Sequence, residues 1–157
     1  MHTFDGVTLR CLRAKKLMSV LLRHDVNGVD WAELASVFER APLGIREPEK
    51  LCRAFANSYR ICFAYDGQAL IGAARMISDG EYCASIYDVV VLPEFQGQGI
   101  GTQMITALLV NLDVGSIILV SVPGMEEFYR KNGFERLKTG MARYRNPKWA
   151  RDAGYIE

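Results

Sequence analysis

Glycines at alternate positions mark the stretch of this chain whose residue types could do chemistry. Gly97, Gly99 and Gly101 follow an apolar run at residues 89–92 and precede a helical pattern that starts at Ile100. Because glycine has no Cβ, a ligand can approach such a backbone closely. The first amides of a helix also have no partner within it and attract anions. The pattern predicts a phosphate-binding strand-to-helix turn, with a turn that binds nothing as the alternative.

Three phosphate-binding patterns compete for this stretch. The dinucleotide fingerprint needs a third glycine where Thr102 stands, and the P-loop pattern needs a lysine that is missing. Residues 96–101 fit Q-x-x-G-x-G instead, which resembles motif A of the GNAT superfamily of acetyltransferases. Residues 128–134 read F-Y-R-K-N-G-F and resemble the F-Y-x-x-x-G-F signature of the same family.

The resemblance implies a fold and an activity. The expected fold class is α/β (α+β), the acyl-CoA N-acyltransferase fold: a mixed, mostly antiparallel central sheet flanked by helices, with one parallel βαβ step at the cofactor strand. The expected activity is direct, acetyl-CoA-dependent acetylation of a primary amine. A non-catalytic acyl-CoA-binding regulatory module on the same fold is the alternative.

The resemblance also implies which residues hold acetyl-CoA. Backbone groups of Val89 and Val91 pair with the pantetheine arm, as an added strand would, and a main-chain N–H near Val90 faces the thioester oxygen. The pyrophosphate is held mainly by backbone amides of seven consecutive residues: Gln96, Gly97, Gln98, Gly99, Ile100, Gly101 and Thr102. The Thr102 hydroxyl adds one further donor.

Two side chains are predicted to do catalysis. The resemblance assigns Tyr129 the protonation of the leaving thiolate. A phenol has a pKa of about 10 and a thiol one of about 8.5, so the site either lowers the pKa of Tyr129 or uses Tyr129 as a hydrogen-bond donor. Asp88 is an unusual carboxylate in an apolar strand. It could act as the general base, work through a water molecule, orient the ammonium, or serve as a structural acceptor for a neighbouring loop.

The acceptor amine is less well defined. Residues 84–134 also resemble the plant serotonin N-acetyltransferase group, which favours a small aryl or alkyl amine. A protein lysine, a protein N-terminus and an aminoglycoside stay open, since the likeness does not securely cover the first two helices. Five aromatic residues lie near the expected pocket but are more often core at helical spacing: Trp31, Phe38, Phe55, Tyr59 and Phe63.

The elements that must position these residues can be read from periodicity and turn signals. Residues 7–12 are expected to form a strand, and residues 17–24 a strand or a helix. Asp30 and Glu33 predict a capping box and a helix that ends before Pro42. A second helix starts near Pro48 and runs to about residue 58. Strands follow at residues 59–65, 69–77 and 83–92, with a hairpin at Asp66-Gly67.

The second half of the chain predicts a helix after Gly99, a strand over residues 117–122 and a short helix over residues 125–131. A last hairpin is expected from residues 134–137 and 141–145. The function of the tail from residue 146 onward is not defined by any pattern.

Length and composition narrow the classes of molecule that this chain is expected to bind. The 157 residues predict one domain spanning residues 1–157, and the net charge of +1 without a dense basic cluster disfavours nucleic acid. No apolar run approaches the ~20 residues that span a bilayer, so no membrane is expected. The four cysteines show no C-x-x-C spacing, which predicts reduced thiols, a cytoplasmic location and no metal. The resemblance also implies a homodimer through the final strands, in the region from Tyr144 to Trp149.

Overall fold

The computed structural model describes residues 20–157 and contains one five-stranded sheet in the order β1-β2-β3-β4-β5. The strands are β1 (Val20–Arg23), β2 (Arg60–Asp66), β3 (Ala69–Ser78), β4 (Cys83–Val91) and β5 (Ser116–Leu119). The first four strands pair in antiparallel fashion, and β4 pairs with β5 in parallel. The predicted mixed sheet with one parallel step is therefore confirmed.

Five helices accompany the sheet among the described residues: α1 (Trp31–Arg40), α2 (Pro48–Ala56), α3 (Ile100–Leu109), α4 (Glu126–Lys131) and α5 (Pro147–Asp152). No helix within residues 20–157 is long and apolar enough to cross a membrane. Residues 20–23 of the ambiguous stretch form a strand, β1. The strand expected at residues 7–12 and the start of that stretch lie outside the described residues.

The predicted capping box at the start of α1 forms on the Asp30 side, but the Glu33 carboxylate binds a different partner. The Asp30 carboxylate accepts hydrogen bonds from the amides of Ala32 and Glu33, at 2.9 and 3.0 Å, as an N-cap should. The Glu33 carboxylate, however, accepts from the Leu70 amide at 3.0 Å. Glu33 thereby joins α1 to the beginning of β3.

The core lies between the sheet and helices α1, α2 and α3. Phe38, Phe55 and Phe63 are fully buried, and the rings of Phe55 and Phe63 stack with centroids 5.0 Å apart. Trp31 meets both of these rings at about 6 Å. Trp31, Phe38, Phe55 and Phe63 thus belong to the core, as the core interpretation expected. Tyr59, the fifth aromatic residue of that set, is 48% exposed.

The predicted final hairpin is wrong. Residues 134–145 form neither strand nor helix, and Leu137 and Met141 are exposed. A strand pair needs a buried face that its alternate residues can cover, and these side chains have none. The tail instead contains α5, whose N-cap Asn146 accepts from the Trp149 amide at 3.1 Å.

Candidate active site

The gap beside β4 results from a short parallel pairing. β5 pairs with β4 only from Cys83 to Ile86, and β5 itself ends at Leu119. Residues 87–91 of β4 therefore have no strand neighbour on that side among the described residues. This divergence of the two strands leaves room for an extended ligand beside β4.

Alternation in the antiparallel ladder decides which backbone groups face the gap. The Leu92 amide donates to the Ile71 carbonyl at 2.9 Å. Because hydrogen-bonded and non-hydrogen-bonded pairs alternate, Val90 opposite Ala73 points its backbone groups toward β3. Val91 points its groups away from β3. A ligand in the gap would therefore meet the amide of a residue next to Val90 and not the Val90 amide itself.

The glycine turn presents a row of free amides. Gly97 and Gly99 have φ of 72° and 81°, the left-handed region that costs glycine nothing. Gly99 is the N-cap of α3, and the Gln103 amide donates to its carbonyl at 3.0 Å. A Cβ built at either glycine would meet no atom within 4 Å. In the described part of the chain, no acceptor is assigned to the amides of residues 97–102.

Side chains fix this turn from within. The Gln96 side-chain amide donates to the Val91 carbonyl at 2.9 Å, and that of Gln98 donates to the Glu94 carbonyl at 3.2 Å. The Glu94 carboxylate accepts in turn from Arg40 at the end of α1. Gln96 therefore ties the turn to the cofactor strand, and its role in the motif is explained without any ligand.

Close packing joins the turn to α4. A Cβ at Gly101 would lie 2.9 Å from Cζ and 3.3 Å from Cε2 of Phe128. The ring of Phe128 in turn meets the ring of Tyr129 edge-on, with centroids 5.0 Å apart. Gly101 is therefore needed for the approach of two helices, α3 and α4, as well as for any ligand.

Tyr129 lies in the cavity that the divergence of the strands opens. The cavity is lined by residues from β4, from the α1–α2 loop, from the segment after β5 and from the tail, among them Tyr87, Asp88, Leu43, Arg46, Val122 and Trp149. Burial raises the pKa of Tyr129 above its ordinary value of 10.0. Tyr129 therefore keeps its proton at neutral pH, which favours a role as hydrogen-bond donor over a role that needs a lowered pKa.

Asp88 stands at an irregularity in β4. Its φ is 54°, which is uncommon for a residue with a side chain and is tolerated best by Asn and Asp. The register between β3 and β4 shifts here, since Ala73 faces Val90 while Arg75 faces Tyr87. The extra residue in β4 makes a β-bulge, a feature that is frequent beside active sites.

Two arginines engage the Asp88 carboxylate. Oδ2 accepts from Nε of Arg75 at 2.5 Å, and Nη2 of Arg46 lies 3.9 Å from Oδ1. Arg75 is mostly buried, and its guanidinium also lies 5.2 Å from the centre of the Tyr87 ring. Arg46 belongs to the loop between α1 and α2. These contacts favour the structural interpretation of Asp88, as an acceptor for a neighbouring loop, over its interpretation as a free base.

The structure brings three of the predicted site residues together around one cavity, which Asp88, Val89 and Tyr129 line. The glycine turn follows β4 after a short 3-10 helix at Pro93–Phe95. Sequence reasoning missed Arg46, Trp149 and Tyr155 as lining residues. These three are distant in the chain from the motifs, and no local pattern links them to the site. No cluster of metal-ligating side chains is found among residues 20–157.

The chain belongs to the GNAT acetyltransferase family. The family model of the acetyltransferase (GNAT) domain matches residues 57–136, which include β2 to α4 and the glycine turn.

Named relatives and solved structures agree with this assignment. The chain is 33% identical over 135 residues to serotonin N-acetyltransferase 2, chloroplastic, of Oryza sativa, covering 80% of this chain and 68% of that protein. It is 35% identical over 121 residues to histone acetyltransferase TAP1 of Glycine max, covering 68% of this chain and 52% of the relative. A GNAT-family acetyltransferase from Streptococcus pneumoniae superposes with a TM-score of 0.69 at 28% identity, over 80% of this chain and 97% of the other.

The relatives differ from this chain in length and from one another in the substrates their names state. The chain spans about half the length of several curated relatives that it matches, with shares of 52%, 42% and 50%. One relative is named for a histone and another for serotonin. Family membership therefore defines the fold and implies acetyl-CoA as the acyl donor, and it leaves the acceptor undefined.

Proposed function

We propose that this protein is an acetyl-CoA-dependent N-acetyltransferase that acts on a primary amine, and that the amine is a small aryl or alkyl amine. The observation that carries the proposal is the joint position of a protonated tyrosine, a strand with an unpaired edge and a turn with free amides. Tyr129 lines the cavity beside β4, and residues 97–102 follow β4 with no acceptor assigned to their amides among the described residues.

The residues present fit acetyl-CoA. Gly97 and Gly99 leave open space where a Cβ would stand, so a diphosphate can lie against their amides and the N-terminus of α3. Bound acetyl-CoA would supply the acetyl group as an activated thioester. Val91 offers its amide to an extended chain in the gap, whereas its carbonyl already accepts from Gln96.

Each residue then has a defined task. A backbone amide of β4 polarises the carbonyl, an interaction worth roughly 3 kcal/mol by analogy with oxyanion holes. The Tyr129 hydroxyl, kept protonated by burial, donates to the sulfur as negative charge develops there. Asp88 holds the bulge through Arg75 and Arg46, so the amine loses its proton to solvent or to a water molecule in the cavity.

The variant Tyr129→Phe tests the proposal. It removes the donating hydroxyl and keeps the ring, so we expect turnover to fall about tenfold or more with little change in acetyl-CoA affinity. Thiol release across an amine panel gives turnover, and calorimetry gives affinity. Tyr82→Phe is the matched control because Tyr82 is 81% exposed. Equal turnover of both variants would remove Tyr129 from the mechanism.

A protein acceptor is the second candidate, since one relative is named a histone acetyltransferase. A lysine-containing peptide therefore belongs in the same panel. Acetyl-CoA binding without turnover on any acceptor would favour the non-catalytic binding module. The cytoplasmic location and the homodimer stay predictions.

A further inference from the structure

The proposed reaction brings the amine to the thioester beside Tyr129, so the cavity that Tyr129, Asp88 and Arg46 line also receives the acceptor. The charges of this cavity narrow the class of acceptor amine further. Of the described residues that line the cavity, Asp88 carries the only carboxylate and Arg46 the only full positive charge. Behind the lining, Arg75 binds the Asp88 carboxylate at 2.5 Å with both side chains mostly buried. One negative charge therefore faces two positive charges, and the cavity wall has an excess of one positive charge.

Asp88 is poorly placed to bind an ammonium group. Its Oδ2 is held by Arg75 and its Oδ1 faces Arg46 at 3.9 Å. An acceptor with several ammonium groups would meet the two arginines without a free carboxylate to balance them. Positive charges near a bound amine disfavour its ammonium form, which also helps a single amine to become the neutral nucleophile.

The Arg46 guanidinium has N–H donors that its contact with Asp88 does not use. Its contact with Asp88 is a single long one, its side chain is 46% exposed, and its guanidinium rests 5.6 Å from the centre of the Phe38 ring. Packing against a ring restricts the side chain while its remaining N–H groups stay open to the cavity. The Arg46 guanidinium can therefore bind a carboxylate of a ligand, since the two groups form a pair of parallel hydrogen bonds.

Aromatic rings form much of the remaining wall. Tyr87 and Tyr129 come from β4 and α4, and the tail contributes Trp149 and Tyr155, whose rings stack with centroids 5.4 Å apart. Trp149 is 51% exposed although it is the largest side chain of the tail. Such a surface offers a flat partner for an aryl ring.

From these observations we infer that the acceptor is a small aromatic amine that also carries an acidic group, with Arg46 binding the acid and the tail rings binding the aryl group. The inference rests on the proposed N-acetyltransferase activity and names its substrate class. It assigns Arg46 as a specificity residue, and it places polyamines and aminoglycosides among the poor acceptors.

Matched pairs of acceptors test the inference. Phenylalanine is compared with phenethylamine, tyrosine with tyramine and tryptophan with tryptamine, and spermidine and kanamycin represent the polycations. We expect the acids to be the better acceptors by kcat/KM. In Arg46→Gln the ratio of acid to plain amine should fall about tenfold, which corresponds to about 1.4 kcal/mol, and the change should appear in KM for the acid alone.

Two further variants separate charge from structure. Arg46→Lys keeps the charge and should restore part of the ratio. Arg53→Gln removes an exposed arginine of α2 that does not line the cavity and should leave the ratio unchanged. A preference for plain amines or polycations, or an unchanged ratio in Arg46→Gln, would overturn the inference while leaving the proposed activity intact. The absence of turnover with every acceptor would overturn both.

Discussion

The contact between Gly101 and Phe128 predicts that Gly101→Ala changes the free energy of unfolding, and that the sign of this change depends on the ring at position 128. An alanine Cβ at position 101 would lie 2.9 Å from Cζ of Phe128, whereas carbon atoms pack best at roughly 3.5–4.0 Å. The ring or α4 must therefore retreat by about 0.6 Å or more. Overpacking of this kind costs about 1–3 kcal/mol.

A gain from helix propensity opposes this cost. Gly101 lies within α3, where glycine is less favourable than alanine by about 0.5–1 kcal/mol. The two terms give a net loss of about 0–2.5 kcal/mol for Gly101→Ala. In a Phe128→Leu background the ring is gone, the steric cost falls away, and the same substitution should become neutral or stabilising by up to about 1 kcal/mol.

Urea denaturation of the four proteins of this cycle, without ligand, measures the effect as the free energy of unfolding. The slope of unfolding free energy against urea should stay constant, so that midpoints report stability. Gln103→Ala on the exposed side of α3 is the control and should change stability by less than about 0.5 kcal/mol. If Gly101→Ala stabilises the unaltered chain, the packing of α3 on α4 described above is incorrect.

Two further predictions address the ligand site and the core. Gly99→Asp should weaken acetyl-CoA binding at least about tenfold relative to Gly99→Asn, as measured by calorimetry. Asp and Asn both tolerate the positive φ of this position, and only the Asp carboxylate repels phosphate at the free amides. Equal affinities of the two variants would contradict the placement of the diphosphate. Burial raises the pKa of Cys62 from 9.0 to about 12, so its contribution to stability is present below pH 9 and is lost as pH rises and the unfolded thiol ionises. The free energy of unfolding should then fall by about 1 kcal/mol from this group between roughly pH 9 and 10. The fall should be shallower in Cys62→Ala, and parallel curves for the two proteins would contradict this account.

Much of the fold was predictable because local signals agreed with tertiary structure. The Asp66-Gly67 turn, the N-cap at Asp30 and Pro48 at the start of α2 each determine a boundary through backbone chemistry. The β5 strand was predicted to run to residue 122 but ends at Leu119, because the apolar run continues past the point where its neighbour β4 diverges. Apolar character alone cannot show where pairing stops.

The site was predictable where it depends on backbone and not where it depends on distant side chains. The glycine turn and Tyr129 were found from motifs that are contiguous in the sequence. The partners of Asp88 were not, since Arg46 and Arg75 reach it from a loop and a neighbouring strand. The tail rings that line the cavity were missed because the expected hairpin would have placed that segment elsewhere.

The ion pair between Arg40 and Glu94 connects the part of the molecule that would meet the acceptor amine with the part that would meet acetyl-CoA. Arg40 ends the helix that leads into Leu43 and Arg46, and Glu94 precedes the glycine turn. Both side chains are about half exposed, which limits their mutual energy to under about 1 kcal/mol. Binding of one reactant should therefore change the affinity for the other only a few-fold, and by the same factor in both directions. Added salt should abolish this coupling because it screens the exposed ion pair.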